Sequence, residues 1–253
     1  MRSEVSRAGE LLERFDRQVR CRPQGERVEH AEGVIRVFDA GWVGVAWSGL
    51  TAASAGAVIA REVERFAGLG PWEWKHYSYD APADLADRLR AAGFVAGAEE
   101  TLLAADIVDL HLDSPLPDGI VLRDVRDAEG VEAFLRVHGE AFGEPPDADG
   151  GWLIDAIRAG RQAAVVAMAG DRPVCAGRVE FHPGTDFAGL YGGGTIPEWR
   201  RRGLFRALVA RRATIAAEAG YRCLQVDAVA ASRPILEAMG FRRLASTTPF
   251  LQP

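Results

Sequence analysis

The densest chemistry in this chain lies in one run. Tyr191, Gly192, Gly193, Gly194 and Thr195 pass through Pro197 to Arg200, Arg201, Arg202 and Gly203, and then to Leu204, Phe205 and Arg206. A glycine-thinned strand thus turns at a proline and crosses an arginine cluster before a helix begins. The free N–H groups at a helix start, with the positive end of its dipole, make an anion site. Gly203 lets a phosphate approach the backbone closely, and Arg201, Arg202 and Arg206 add charge beside it. This is what a pyrophosphate needs. The bare Arg-x-x-Gly spacing should occur about three times by chance in a chain this rich in both residues, so its weight comes from lying between a strand and a helix.

Other chemistries lack their residues. Lys75, the one lysine, is not in a glycine-rich loop, so there is no Walker-type phosphate loop. No nucleophile elbow and no H-E-x-x-H zinc motif occur. His30, His76, His111, His138 and His182 show no metal spacing, and Cys21, Cys175 and Cys223 are an odd number without a C-x-x-C pair.

The elements that must position the run follow from hydrophobic periodicity and turn residues. Residues 120–125 read as a strand, 128–142 and 152–159 as helices, and 163–168, 174–181 and 187–196 as strands. A helix over 203–219 ends at Gly220. A strand over 223–229, a helix over 232–239 and an extended segment from Phe241 complete a mixed sheet flanked by helices. In the first half, 34–38 and 42–47 read as strands, 52–66 as a helix, 73–79 as a strand, 83–92 as a helix and 100–107 as a strand.

The two halves are related. At an offset of 147 positions, seven of the fifteen residues from Asp80 to Phe94 match those from Asp227 to Phe241 without a gap, and Gly56 falls on Gly203. Asp113 to Gly119, with Pro115 and Pro117, reads as a linker. It divides the chain into domains at 1–114 and 118–253, each of ordinary size.

Composition excludes several classes. The 253 residues are 48% hydrophobic and 26% charged, as expected of a globular chain. A net charge of -6 argues against a protein that coats nucleic acid. The N-terminus is charged from Arg2 to Arg14 with no signal-peptide core, and the uncharged stretch 40–60 reads as a strand, a turn and a helix rather than a membrane span. A cytoplasmic protein is expected.

The second half resembles the GCN5-related N-acetyltransferase (GNAT) superfamily over about residues 118–250. The carrying motifs are Thr195 through Pro197 and Arg200 to Gly203 before a long helix, and Ile235 to Phe241 after the next strand. The expected fold is therefore α/β, with tandem GNAT-like domains, the first a degenerate copy. The resemblance implies acetyl-CoA as cofactor. Backbone groups of Gly193, Gly194 and Thr195 would face the pantetheine arm, and amides of Arg201, Arg202, Gly203, Leu204, Phe205 and Arg206 would hold the pyrophosphate. It implies direct attack of a primary amine on the thioester, with a base and an acid.

Several positions depart from the family pattern. Phe205 stands where Gly or Ala is usual, Leu236 where a tyrosine acid often lies, and Val229 where an asparagine is common. No acidic residue lies between Phe187 and Ile196. Tyr191 as acid and Glu180 as base are the candidate replacements; an aspartate shared by both copies, Asp80 and Asp227, reads as a local turn contact. In the first half, Ala53, Ser54 and Ala55 replace the arginines, so a structural role is expected there, with Trp42, Trp47, Trp72 and Trp74 as packing residues. Glu140, Phe142 and Trp152 are the candidate acceptor-site residues. With Glu144, Asp147, Asp149 and Asp155 they form an acidic, aromatic rim suited to a cationic amine.

The expected function is acetyl transfer to a small-molecule or peptide amine, with no metal, nucleic acid or membrane partner. A non-catalytic acyl-CoA sensor on the same fold stays open, and so does a nucleic-acid binder using Arg200 to Arg212.

Overall fold

A computed structural model describes residues 4–39, 42–143 and 150–252. The chain packs into two compact units. The first comprises the chain up to Leu102 with Asp227–Ala230 and Arg243–Pro253; the second comprises Leu103–Val226 and Ala231–Arg242. These units are not the consecutive segments 1–114 and 118–253. Prolines and glycines mark where a chain turns, whereas the sheet a strand joins is decided by its edge partners.

The first unit contains α1 (Glu4–Phe15), β1 (Arg27–Ala31), β2 (Val34–Asp39), β3 (Trp42–Ser48), α2 (Ala55–Phe66), β4 (Trp72–Tyr77), α3 (Leu85–Ala91) and β5 (Val95–Ala96). Its strands run in the order β1-β2-β3-β4-β12, where β12 is Arg242–Gln252 at the end of the chain, and β5 pairs with β12. Only β3 and β4 are parallel, at Gly44↔Glu73 and Val45↔Trp74. Trp72, Trp74, Phe66, Phe94 and Phe250 fill the core, with Phe66 stacked on Trp72 at 4.2 Å. α2 starts three residues later than its periodicity suggests, because Ser54 N–H is held by Thr51 Oγ1 in a turn. α1 and β1 were not among the expected elements. Arg20, which follows α1, is buried against Asp80 with its two guanidinium nitrogens 3.0 and 3.2 Å from the carboxylate. Asp80 also accepts the Tyr77 N–H at 2.9 Å, the expected turn contact. Asp227 differs: it pairs with Lys75 at 3.1 Å.

The second unit takes the end of β6 (Glu100–Asp106) and then β7 (Ile120–Asp124), α4 (Ala128–Phe142), α5 (Gly151–Arg158), β8 (Gln162–Ala169), β9 (Arg172–Phe181), β10 (Phe187–Thr195), α6 (Leu204–Glu218), β11 (Cys223–Ala228) and α7 (Arg233–Ala238). From β7 onward the elements follow the expected order. Local chemistry sets the bounds of α4: Asp127 caps its first turn through Gly130 N–H, and Gly143 leaves it at φ 75°. The sheet runs β7-β8-β9-β10-β11. Its core includes Phe134, Leu153, Val165, Val174, Ile196 and Leu208. Among the described residues no helix is long and apolar enough to cross a membrane.

Candidate functional site

The site is built on β10. Its first half is an ordinary strand: Ala188 pairs with Phe181 and Tyr191 with Arg178, antiparallel. The register then slips, and pairing resumes at Gly194↔Ala176. Gly192 and Gly193 together oppose Gly177, which is a β-bulge. Gly192 takes φ +57°, a conformation that favours glycine. On its other edge β10 pairs with β11 in parallel only from Phe187↔Cys223 to Gly189↔Gln225. Beyond Gly189 the strands separate, leaving the edge from Leu190 to Thr195 free of ladder bonds to β11.

Helices press on the bulge from two directions. A Cβ at Gly194 would lie 2.8 Å from Ala141 and 3.0 Å from the Phe142 ring, both on α4. A Cβ at Gly193 would lie 3.1 Å from the Phe205 ring and 3.2 Å from the Arg212 guanidinium, both on α6. A side chain at Gly194 would force Ala141 and α4 to shift, whereas at Gly193 the Phe205 and Arg212 side chains would have to give by a few tenths of an ångström. Phe205, the departure from the family pattern, therefore covers Gly193. Arg212 is 1% exposed and donates to the carbonyls of Arg178 at 3.0 Å and Tyr191 at 3.4 Å. Burial pushes its guanidinium down to about 10.

The run after β10 forms the expected helix start. A 3-10 turn spans Pro197–Trp199. Arg200 ties it down by donating to the Thr195 and Ala141 carbonyls at 3.0 and 3.1 Å. Arg201 then sits at φ 61° and Gly203 at φ 82°. Left-handed residues next to a helix start turn successive N–H groups toward one concavity, a shape that binds anions. The first bond of α6 joins Ala207 N–H to Gly203 C=O, so the helix makes no use of the N–H groups of Leu204, Phe205 and Arg206. Open space surrounds Gly203 where a Cβ would stand. Arg202 lies over the Trp199 ring at 4.6 Å, its charge held at this end of the strand.

A polar cluster lies on the part of β10 just before the bulge. Gly189 and Tyr191 share a face with their cross-strand partners Glu180 and Arg178. The Arg178 guanidinium lies 5.2 Å from the Trp152 ring and 5.4 Å from the Tyr191 ring. It also pairs with Glu180 at 3.0 Å. Gln162 donates to the same oxygen, Oε1, at 3.1 Å. Tyr191 accepts a hydrogen bond from Gln225 Nε2 at 2.8 Å, so its own proton points elsewhere. A Cβ at Gly189 would lie 2.5 Å from both Gln225 and Tyr191. The structure thus gathers Tyr191, Glu180 and Trp152 around Arg178.

The other expected residues are placed differently. Glu140 is exposed and pairs with Arg172 at 3.6 Å. Arg172 lies six residues before Arg178 on β9, about 20 Å along an extended strand, so Glu140 does not join Glu180. Phe142 stands over Gly194 and packs on His138 at 4.6 Å. Glu144, Asp147 and Asp149 lie outside the described residues. Among the described residues no group of His, Cys, Asp or Glu could hold a metal. Cys175 is fully buried, and burial pushes its thiol up to about 11, where it is unreactive at neutral pH. Sequence reasoning missed Arg178, Gln225 and the positioning of Arg212. The glycines facing each other at 177 and 193 are the signal that a large side chain fills the space between them.

No family model matches the chain, and no curated protein matches it. Solved structures do resemble it. A GCN5-related N-acetyltransferase from Kribbella flavida superposes with a TM-score of 0.70 at 20% identity, over 100% of this chain and 97% of its own. One from Sphaerobacter thermophilus gives 0.63 at 13% identity, over 87% and 76%. A tandem GNAT protein from the clavulanic acid biosynthesis pathway gives 0.62 at 13% identity, over 99% and 95%. The splayed strand pair, the bulge and the helix start of the second unit, with the related order of elements in the first, give this chain the tandem GCN5-related N-acetyltransferase fold.

Proposed function

We propose that the second unit binds acetyl-CoA and transfers its acetyl group to a primary amine. The observation that carries this reading is the splay between β10 and β11 leading, through Arg201 and Gly203 in left-handed conformations, to the unused N–H groups of α6. These residues fit the cofactor: a strand edge free of ladder bonds suits an amide-bearing arm, and a cationic helix start suits a pyrophosphate. Gly193, Gly194 and Thr195 would face the arm. Amides from Arg201 to Arg206 would hold the phosphates. When bound, the thioester supplies the activated acetyl group.

The chain's own residues supply the rest. Glu180 Oε1 takes three donors, from Arg178 and Gln162, which leaves Oε2 to accept a proton from the incoming amine. Tyr191, held by Gln225, donates its phenolic proton toward the departing sulfur. Trp152 and Phe142 wall the acceptor side. Arg178 balances the charge of Glu180, so a suitable amine screen spans cationic and zwitterionic acceptors. The first unit, without the arginine run, binds no cofactor and acts as a scaffold.

A non-catalytic acyl-CoA sensor is the second reading. It is favoured by Leu236, 1% exposed in the core where a catalytic tyrosine is common in the family. The test is a calorimetric titration of acetyl-CoA followed by thiol release with an amine panel. Micromolar binding near one equivalent with amine-dependent thiol release supports the transferase. Binding without release across the panel supports the sensor. No binding to the folded wild type ends both readings.

A further inference from the structure

We propose that Arg212 is a positioning residue that sets the β10 bulge for acyl-CoA, an inference that rests on the acyl-CoA reading above. Three observations carry it. The guanidinium reaches both strands at the slip, bonding the carbonyls of Tyr191 on β10 and of its partner Arg178 on β9. Those two residues form the last regular pair before the bulge, so Arg212 pins the point from which the bulge departs. Its space is reserved: a Cβ at Gly177 would stand 2.8 Å from the guanidinium and one at Gly193 3.2 Å from it. Its charge has no carboxylate partner among the described residues, although it is 1% exposed. An unpaired buried cation is costly, and an apolar residue would plug the same gap without that cost.

The first unit supplies the control. β3 carries a bulge of its own, since Ile35 pairs with Trp47 while Arg36 pairs with Val45, leaving Ala46 extra. Ala46 matches Gly193 at the offset of 147. There the buried charge is compensated: Arg36 on β2 bonds Glu62 on α2 at 2.5 and 2.7 Å. The copy without the arginine run closes its charge in a pair, and the copy with it leaves a cation open behind the bulge. A positive charge behind Gly193 favours an electronegative oxygen in front of it, such as the carbonyl of a thioester.

The test uses Arg212→Met and Arg212→Lys in the full chain. Coenzyme A binding is measured by calorimetry, amide exchange over 187–196 by mass spectrometry, and melting temperature in parallel. Arg212→Met is expected to weaken coenzyme A at least tenfold and speed exchange in 187–196, with the melting temperature moved by a few degrees at most. Arg212→Lys, which keeps the charge and can reach one carbonyl, is expected to recover part of both. With turnover in hand, KM for acetyl-CoA should rise more than kcat falls. Wild-type affinity and exchange in Arg212→Met sink this proposal alone and leave the acyl-CoA reading standing. A wild type that does not bind coenzyme A sinks both. If Arg212→Met does not fold, Arg212→Lys decides: affinity and exchange equal to wild type overturn the proposal.

Discussion

The strand–helix pairs β3–α2 and β10–α6 are two versions of one device. Each strand carries a bulge at the matching position, each has one parallel neighbour for two or three residues, and each leads into a long helix. They differ in what stands at the helix start and behind the bulge. α2 begins after a turn closed by Thr51 and Ser54, and its buried Glu62 is paired with Arg36. α6 begins after two left-handed residues and three arginines, and its buried Arg212 has no acidic partner among the described residues. On the acyl-CoA reading proposed above, the backbone architecture alone would not make the anion site. Charge at two points on it would, and the first copy carries no arginine run at its helix start and pairs its buried Arg36 with Glu62.

The largest test of this contrast applies one substitution to both copies. Gly203→Asp puts a side chain at φ 82° and a negative charge in the proposed phosphate cradle; coenzyme A affinity should fall at least 100-fold, an order-of-magnitude expectation for a displaced charge-assisted site. Gly56→Asp, at a helix start with open space, should leave affinity within about twofold of wild type by the same reasoning. Equal losses from both, read by calorimetry, would mean that the first copy binds too.

Breaking the first copy's buried pair should move stability and not binding. Glu62→Ala leaves Arg36 buried without its main partner and should cost about 3–5 kcal/mol in denaturant unfolding. Coenzyme A affinity of the folded fraction should be unchanged. A smaller effect belongs to Tyr191→Phe, which should lower kcat by about 100-fold with coenzyme A affinity kept, the low end for loss of a general acid. A loss of affinity instead would make Tyr191 a binding residue.

The smallest expected effect is on acid stability. Burial pushes His182 in the second unit down to about 4, and burial also lowers His76 in the first. Between the free value of 6.5 and about 4 the unfolded chain holds more protons at His182 than the folded one, so stability falls as pH drops through that window. His182→Asn should flatten this acid limb in melting curves more than His76→Asn does. The reverse order would place the stronger burial in the first unit.

Much of the second unit was legible because its punctuation is local. Asp127 and Gly143 bound α4, and Gly203 and Gly220 bracket α6. The repeat was legible because it is ungapped. α1 was not, because its charges read equally well as surface. The placement of β6 and β12 was not, because a strand's pattern shows which face is buried and not which neighbour it will pair with. At the site, Gly193, Arg202 and Gly203 announced themselves through spacing. Arg178 and Arg212 were hidden among 29 arginines, of the 30 basic residues, and acquired meaning only from their three-dimensional neighbours. Glu140 shows what sequence proximity leaves out: its exposed carboxylate pairs with Arg172 rather than joining Glu180, a neighbour that only the fold reveals.

The exchange of last strands has a consequence for synthesis. The first unit holds Arg243–Pro253, whose β12 pairs with β4 from Thr247↔Tyr77 to Gln252↔Trp72. Translation is vectorial, and domains generally fold as they emerge. Here the unit whose other strands leave the ribosome first cannot complete its sheet until residues 242–252 have been made, so β4 waits with an unpaired edge while the second unit is made. A nascent chain stalled before Arg243 would expose that edge, and a short peptide of the β12 sequence supplied in trans would be its natural cap.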